Sequence, residues 1–174
     1  MYSVDELDAV VELEDIPSPS AGAPCPMILC GEHFLHLAYF VQRNLDGWDG
    51  IPRVVDEESE GGECALVKFR QMKAHMFGPP NDEAFHGHPL ADRGLKSYAI
   101  FEVKNSSWIR GLERMNRVHH CHKPEHFSRF LHFIFAFHDS TFECVTEGFD
   151  WTTHAGNVSR ILWDSWPEDK RPTI

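Results

Sequence analysis

The sequence predicts an α+β domain in which one main helix and one or two short helices pack on a largely antiparallel sheet of five to seven strands. Three observations predict this class. Short segments with alternating apolar and polar residues recur between turn-forming residues, as is typical of antiparallel strands. One segment, 108–118, instead has apolar residues at helical spacing. Strands precede this helix and a hairpin follows it, whereas an alternating α/β protein would interleave the two.

The composition limits the classes of function. The 174 residues fit one domain, and 42% hydrophobic with 25% charged residues is ordinary for a globular protein. The net charge of −11 argues against a nucleic-acid partner and against an anionic membrane surface. The first 16 residues hold six acids and no base, which is unlike a targeting signal. Five cysteines without a CxxC motif indicate reduced thiols, so we expect a cytoplasmic protein. Five tryptophans and thirteen phenylalanines exceed what one small core needs, so we expect a protein or small-molecule partner.

The chain divides into three parts by composition. Residues 1–26 form an acidic and proline-rich arm, residues 27–166 form the single α+β domain, and residues 167–174 form a polar tail. Within the arm, the pattern over residues 3–14 fits a helix and a strand equally well.

The first predicted hairpin covers residues 27–42. Gly31 and Glu32 suit a two-residue turn with glycine first, which sets Cys30 opposite His33. A cysteine beside a histidine is either an activated nucleophile or a small core residue. A loop at 46–50 and a short strand at 53–55 follow.

A long strand is predicted over residues 64–77, with a break in its pattern. The apolar residues lie at odd positions before Arg70 and at even positions after Gln71. A β-bulge would move the second set to the inner face, and two strands that meet at a bend would give the same pattern.

The loop that begins at Asp82 carries the most candidate metal ligands. His86 and His88 are two residues apart, so in extended backbone they lie about 6.6 Å apart on one side and reach a single ion. Asp82 or His75 would complete the shell of zinc or another divalent metal, with Glu83 as candidate base. Alternatively, the two histidines bond the backbone and fix the loop.

The main helix follows a strand at 98–104. Asn105, Ser106 and Ser107 are all residues that cap helices. The helix runs to about residue 118, and its predicted buried stripe consists of Trp108, Ile109, Leu112 and Met115. The predicted helix ends at the cluster His119, His120, Cys121 and His122. These residues are either favourable because they lie at a helix C-terminus, or ligands of a metal ion.

The strongest local pattern lies at 131–149, which predicts a second hairpin with its turn at Asp139–Ser140. This turn sets Phe137 opposite Phe142 on an apolar face. His132, His138 and Glu143 lie on the other face. The two histidines are about 20 Å apart along the strand, so they cannot share an ion. His138 and Glu143 form either a diagonal acid–base pair or ordinary charge pairing on a solvated face.

The remaining chain adds no stronger signal. Residues 151–156 are predicted to be irregular, and Asn157 caps a short helix to 166.

The sequence lacks GxxxxGK[ST], GxGxxG, HExxH and GxSxG motifs, which removes the commonest nucleotide-binding and hydrolase assignments. The 12 histidines suggest a pH-responsive protein as a third, weaker hypothesis.

Two hypotheses for the function follow. The first is a cytosolic ligand- or protein-binding module without a strong catalytic signature. The alternative is a metal-dependent hydrolase centred on His86 and His88, with Glu83, His138 and Glu143 as candidate catalytic residues.

Overall fold

A computed structural model describes residues 2–42 and 55–171, and its strands form two antiparallel sheets. In chain order the described strands are β1 (Ala9–Glu12), β2 (Met27–Gly31), β3 (Phe34–Phe40), β4 (Gly62–Arg70), β5 (Ala74–Gly78), β6 (Ile100–Lys104), β7 (Leu131–Ala136), β8 (Thr141–Thr146) and β9 (Gly148–Gly156). The helices are α1 (Ser107–Asn116) and α2 (Val158–Asp164). One sheet has the order β1-β6-β7-β8-β5 and the other β2-β3-β4-β9.

The predicted mixture of antiparallel strands and few helices is confirmed, but the single sheet of five to seven strands is wrong. The described chain has nine strands in two sheets because it crosses between them where one continuous strand was predicted. At the first crossing, β4 ends at Arg70 and β5 begins at Ala74 in the other sheet. Gln71 has a φ of +52° there. The break in the sequence pattern is therefore a bend between two strands.

The second crossing lies directly after β8. The predicted return strand continued to Phe149 in the same sheet, and residues 151–156 were expected to be irregular. Instead, Gly148, with a φ of +137°, opens β9, which pairs with β4 over nine residues. The left-handed backbone at Gly148 favours glycine and turns the chain into the other sheet.

The core lies between the two sheets. The odd-numbered residues of β3 and β4 face it, as do alternate residues of β7 and β8. Its fully buried members include Leu35, Leu37, Tyr39, Ala65, Val67, Ile100, Phe135, Phe142 and Cys144. The apolar face predicted for the second hairpin, with Phe137 and Phe142, is thereby confirmed.

Both hairpins differ from their predicted register by two residues. In the first, Cys30 pairs with Leu35, so Cys30 does not lie opposite His33. In the second, Phe135 pairs with Phe142, and the turn consists of residues 138–139. A shift of two residues keeps every side chain on its face and changes only its neighbours.

The outer faces of the sheets are covered differently. Helix α2 packs Val158 and Leu162 on the four-stranded sheet. The N-terminal arm, which includes β1, and the loop before β6 cover the five-stranded sheet. The helix α1 was predicted, and Ser106 caps it by accepting the Ile109 N–H at 3.3 Å. Met115 is 73% exposed, so the predicted stripe is wrong at that position.

The predicted loop at 46–50 and most of the predicted strand at 53–55 lie outside the described residues. None of the helices in the described part of the chain is long and apolar enough to cross a membrane.

Candidate functional site

A buried hydrogen-bonded network surrounds Glu143 in β8. This carboxylate, whose residue is 5% exposed, accepts three hydrogen bonds. They come from His88 Nε2 at 3.1 Å, His132 Nε2 at 3.0 Å and the Tyr2 hydroxyl at 2.7 Å. We call these four residues, together with Ser106, the Glu143 network.

The strand register explains why His132 joins this network. Glu143 pairs with Ile134, so His132 on β7 is its diagonal neighbour on the same face. The part of this face around His132 and Glu143 is buried, because the N-terminal arm covers it. The Tyr2 ring stacks on Trp108 of α1 with centroids 5.2 Å apart.

Both histidines use both ring nitrogens. His88 Nδ1 accepts the Leu90 N–H at 3.1 Å, so its proton lies on Nε2 and is donated to Glu143. His132 Nδ1 lies 2.9 Å from the Ser106 hydroxyl. A histidine that ligates a metal through Nε2 needs a free lone pair there, and the geometry of His88 instead supports a hydrogen-bonding role.

The network holds an ionised carboxylate away from water. Burial alone would raise the pKa of Glu143, but the hydrogen bonds from His132 and His88 outweigh it and lower that pKa to about 2. Burial and the neighbouring carboxylate raise the pKa of the Tyr2 hydroxyl well above its usual value. The side chains of His88 and His132 are fully buried and that of Glu143 is 6% exposed, and the network links the arm, α1 and the sheet to one another.

A second cluster, which we call the Asp82 cluster, contains Asp82, Tyr98 and His138. Asp82 Oδ2 accepts hydrogen bonds from the Tyr98 hydroxyl and from His138 Nδ1, the latter at 2.9 Å. The His138 side chain is 43% exposed, and no described residue bonds its Nε2. The imidazole is therefore held by a carboxylate while its second nitrogen faces solvent.

The Asp82 cluster has three features that are common at functional sites. Hydrogen bonds from Tyr98 and His138 lower the pKa of Asp82, and the hydrogen bond to Asp82 raises the pKa of His138. The same carboxylate raises the pKa of Tyr98 to about 12. Tyr98 has a φ of +61°, and Asp82 Oδ1 is buried without a partner in the described residues.

The predicted metal ligands are not brought together. His86 is exposed, His88 is 4% exposed in the Glu143 network, and Asp82 pairs with His138. His75 is half-buried with its ring against Phe142. The metal assignment of these residues stays a prediction.

The predicted catalytic residues are also distributed. His138 and Glu143, predicted as one acid–base pair, belong to the two separate clusters. Glu83 is exposed beside the Asp82 cluster. Their catalytic roles also stay predictions.

Sequence reasoning missed several members of these clusters. His132 was set aside because of its distance from His138, and Ser106 was identified only as a helix cap. Tyr98 was assigned to a strand. Tyr2 lies 141 residues from Glu143, so no local signal connects the two.

The longest edge strand among the described residues is β9. It pairs on one side with β4 along its whole length and on the other side with no described strand. Residues 150–155 are all exposed. The strand contains no lysine or proline, and its one carboxylate, Asp150, is paired with Arg70 at 2.5 Å.

A shallow acidic cleft lies at the C-terminal end of β9. It has a volume of about 630 Å³ and is lined by Glu58, Glu60, Asn157, Ser159, Arg160 and Trp163. Trp163 is 42% exposed, whereas Arg160 is paired with Asp164 at 2.8 Å. The cleft thus combines two carboxylates with an accessible indole ring.

No protein family model, curated protein or solved structure matches this chain.

Proposed function

We propose that the protein is a binding module that pairs an extended, basic segment of a partner protein with the free edge of β9. The observation that carries this proposal is the nine-residue edge strand without lysine, proline or any described strand beside it. Natural proteins usually block such edges, because unpaired backbone groups are a template for another strand. An exposed edge of this length is what strand addition requires.

The charge distribution favours a basic partner. The chain carries a net charge of −11, and the acidic turn 56–63 adjoins the end of β9, where Glu63 pairs with Ala155. Complementary charge accelerates association and rejects partners of the wrong sign. The same negative charge opposes pairing of two β9 edges from two copies of this chain.

The acidic cleft supplies a place for a cationic side chain of that segment. Glu58 and Glu60 provide the opposite charge, and the exposed Trp163 ring provides a surface for a cation–π contact. A lysine or arginine near the end of the added strand would reach this cleft from the β9 edge.

Two synthetic peptides of the length of β9 test the proposal. Both alternate threonine and valine, and they differ only in a terminal pair of lysines or of glutamates. We expect the lysine peptide to bind at least about tenfold more tightly at low salt, a difference of about 1.4 kcal/mol. Binding should shift the amide resonances of residues 150–155 and slow their hydrogen exchange.

The edge itself is tested by substitution. Thr152→Lys with Thr153→Lys places charges on the β9 edge and should abolish binding, whereas Ala9→Lys on the exposed strand β1 is the matched control. Equal affinity for both peptides, or resonance shifts confined to other strands, would contradict the proposal. If the protein instead dimerises, and the two β9 lysines abolish the dimer, then a second copy of this chain binds the β9 edge.

The Asp82 cluster favours a second candidate, an acid–base hydrolase. Asp82 orients the His138 ring so that its Nε2 faces solvent, which is the arrangement that general acid–base chemistry needs. Glu83 lies beside it and is the candidate base of the metal-dependent version, with His86 in the same loop.

A screen of ester, amide and phosphoester substrates, with and without zinc, tests this second candidate. Any activity should fall by about 100-fold or more in Asp82→Asn and His138→Gln, since positioned acid–base groups contribute that much. The exposed His126→Gln variant is the control. Activity that survives both substitutions would exclude the cluster as the active site, and a requirement for zinc would favour the metal-dependent version.

A further inference from the structure

The turn after α1 brings three metal-binding side chains together. His119, His120 and Cys121 are exposed, and one ligand atom from each lies within 4.8 Å of the other two. The two imidazole rings lie side by side with centroids 4.8 Å apart. Cys121 is a free thiol.

The fold holds this turn in place through His122. Its Nδ1 lies 2.9 Å from Asn116 Oδ1 and its Nε2 lies 2.9 Å from Glu113 Oε1, both on α1. Its side chain is only 13% exposed. Because both ring nitrogens are engaged, His122 anchors the turn and is not itself available to an ion.

The backbone of the turn is also ordered. The His119 N–H bonds Asn116 O at 2.9 Å, and the His122 N–H bonds His119 O at 2.9 Å. His119 Nδ1 accepts the Cys121 N–H at 3.1 Å, which ties one candidate ligand to the backbone of another. The three side chains are thus presented on a pinned turn.

We propose that His119, His120 and Cys121 form a binding site for a single thiophilic metal ion, Zn²⁺ or Cu⁺. Thiolate and imidazole are the ligands these ions prefer. Zinc bonds of about 2.0–2.3 Å place tetrahedral ligand atoms about 3.3–3.6 Å apart. The ligand atoms of the three residues lie within 4.8 Å of one another, so rotation of these exposed side chains can bring them to the zinc-bound separation. On binding, the Cys121 thiol releases its proton to solvent and both imidazoles bind in the neutral form. Three protein ligands leave the fourth position to water.

The test compares untagged protein with a free peptide of residues 117–123. Zn²⁺ is titrated in competition with a chromophoric chelator, and Cd²⁺ is used to detect the thiolate charge-transfer band. We expect one ion per chain, bound at least about tenfold more tightly by the protein than by the peptide, because the turn is pre-organised. Equal affinity of protein and peptide would overturn the proposal.

Variants separate the ligands from the anchor. Cys121→Ser should remove the Cd²⁺ thiolate band, and His119→Ala should weaken binding about tenfold or more. His122→Ala should lower the affinity toward that of the peptide while the thiolate band persists. The exposed Cys30→Ser and His126→Ala variants are matched controls and should change neither. Binding that survives Cys121→Ser, or that is lost in either control, would assign the ion to another site, and thermal melts establish that each variant is folded.

Discussion

Replacing Glu143 with glutamine is expected to destabilise the protein by about 3 kcal/mol, because hydrogen bonds to a buried charged group are weakened and a buried donor left without an acceptor costs about 1–3 kcal/mol. Glutamine presents an N–H₂ group where three donors converge, so at least one of His88, His132 and Tyr2 loses its acceptor. The melting temperature should fall by on the order of 10 °C for a chain of this length. Urea unfolding at pH 7 measures the change, and the exposed Glu125→Gln is the control.

The pH dependence of this difference is a sharper test. The pKa of Glu143 lies at about 2 in the folded protein, below its usual value of 4.5. The resulting stabilisation is present above pH 4.5 and is lost as the pH falls toward 2; it amounts to about 3 kcal/mol. The gap between wild type and Glu143→Gln should therefore narrow below pH 4.5. Other carboxyl groups titrate in both proteins and cancel in the comparison, so a gap that stays constant to pH 2.5 would contradict the network.

Replacing Phe135 with alanine is expected to destabilise the protein by about 3–5 kcal/mol through loss of apolar contact and the cavity that remains. Phe135 is fully buried between the two sheets. It contacts Tyr39 and Phe69 of the four-stranded sheet, with ring centroids 6.3 and 5.9 Å away, and Phe142 of its own sheet at 5.9 Å.

Phe77→Ala is the matched control, because that ring is 39% exposed on the edge strand β5 and should cost about 1 kcal/mol. A double-mutant cycle between Phe135 and Phe69 then tests the packing of the sheets. Side chains in contact show coupling of about 0.5 kcal/mol or more, whereas distant sites add. If the costs of the two single substitutions simply add, or if Phe135→Ala lowers the free energy of unfolding by less than about 1.5 kcal/mol, the packing of one sheet on the other is contradicted.

The two hairpins show which part of a fold can be predicted from the alternation of apolar and polar residues. Alternation fixes the face on which a residue lies, and Phe137 and Phe142 are in the core as predicted. Turn chemistry fixes the partner, and neither Gly31–Glu32 nor Asp139–Ser140 is the turn that forms. Because the predicted register was wrong by two residues, the core face was still predicted correctly, but the contact between His132 and Glu143 was not predicted.

The rest of the candidate site depends on contacts that no local pattern encodes. His86 and His88 were predicted to point the same way, which requires extended backbone. Instead, residues 85–87 form a 3₁₀ turn, and His88 is buried while His86 is exposed. The polar face of β7 and β8 is covered by residues from the far end of the chain, so its burial follows from tertiary packing.

The bond between Tyr2 and Glu143 also has a consequence for synthesis. Residue 2 leaves the ribosome 141 residues before its acceptor. At about 5–20 residues per second, this interval is roughly 7–28 s. During that time the first residues lack the partner that holds them, and β1 must wait for β6 in the same way. In a nascent chain that stops before β8, His88 and His132 lack the carboxylate that they share. The complete Glu143 network therefore forms only after Glu143 has been translated.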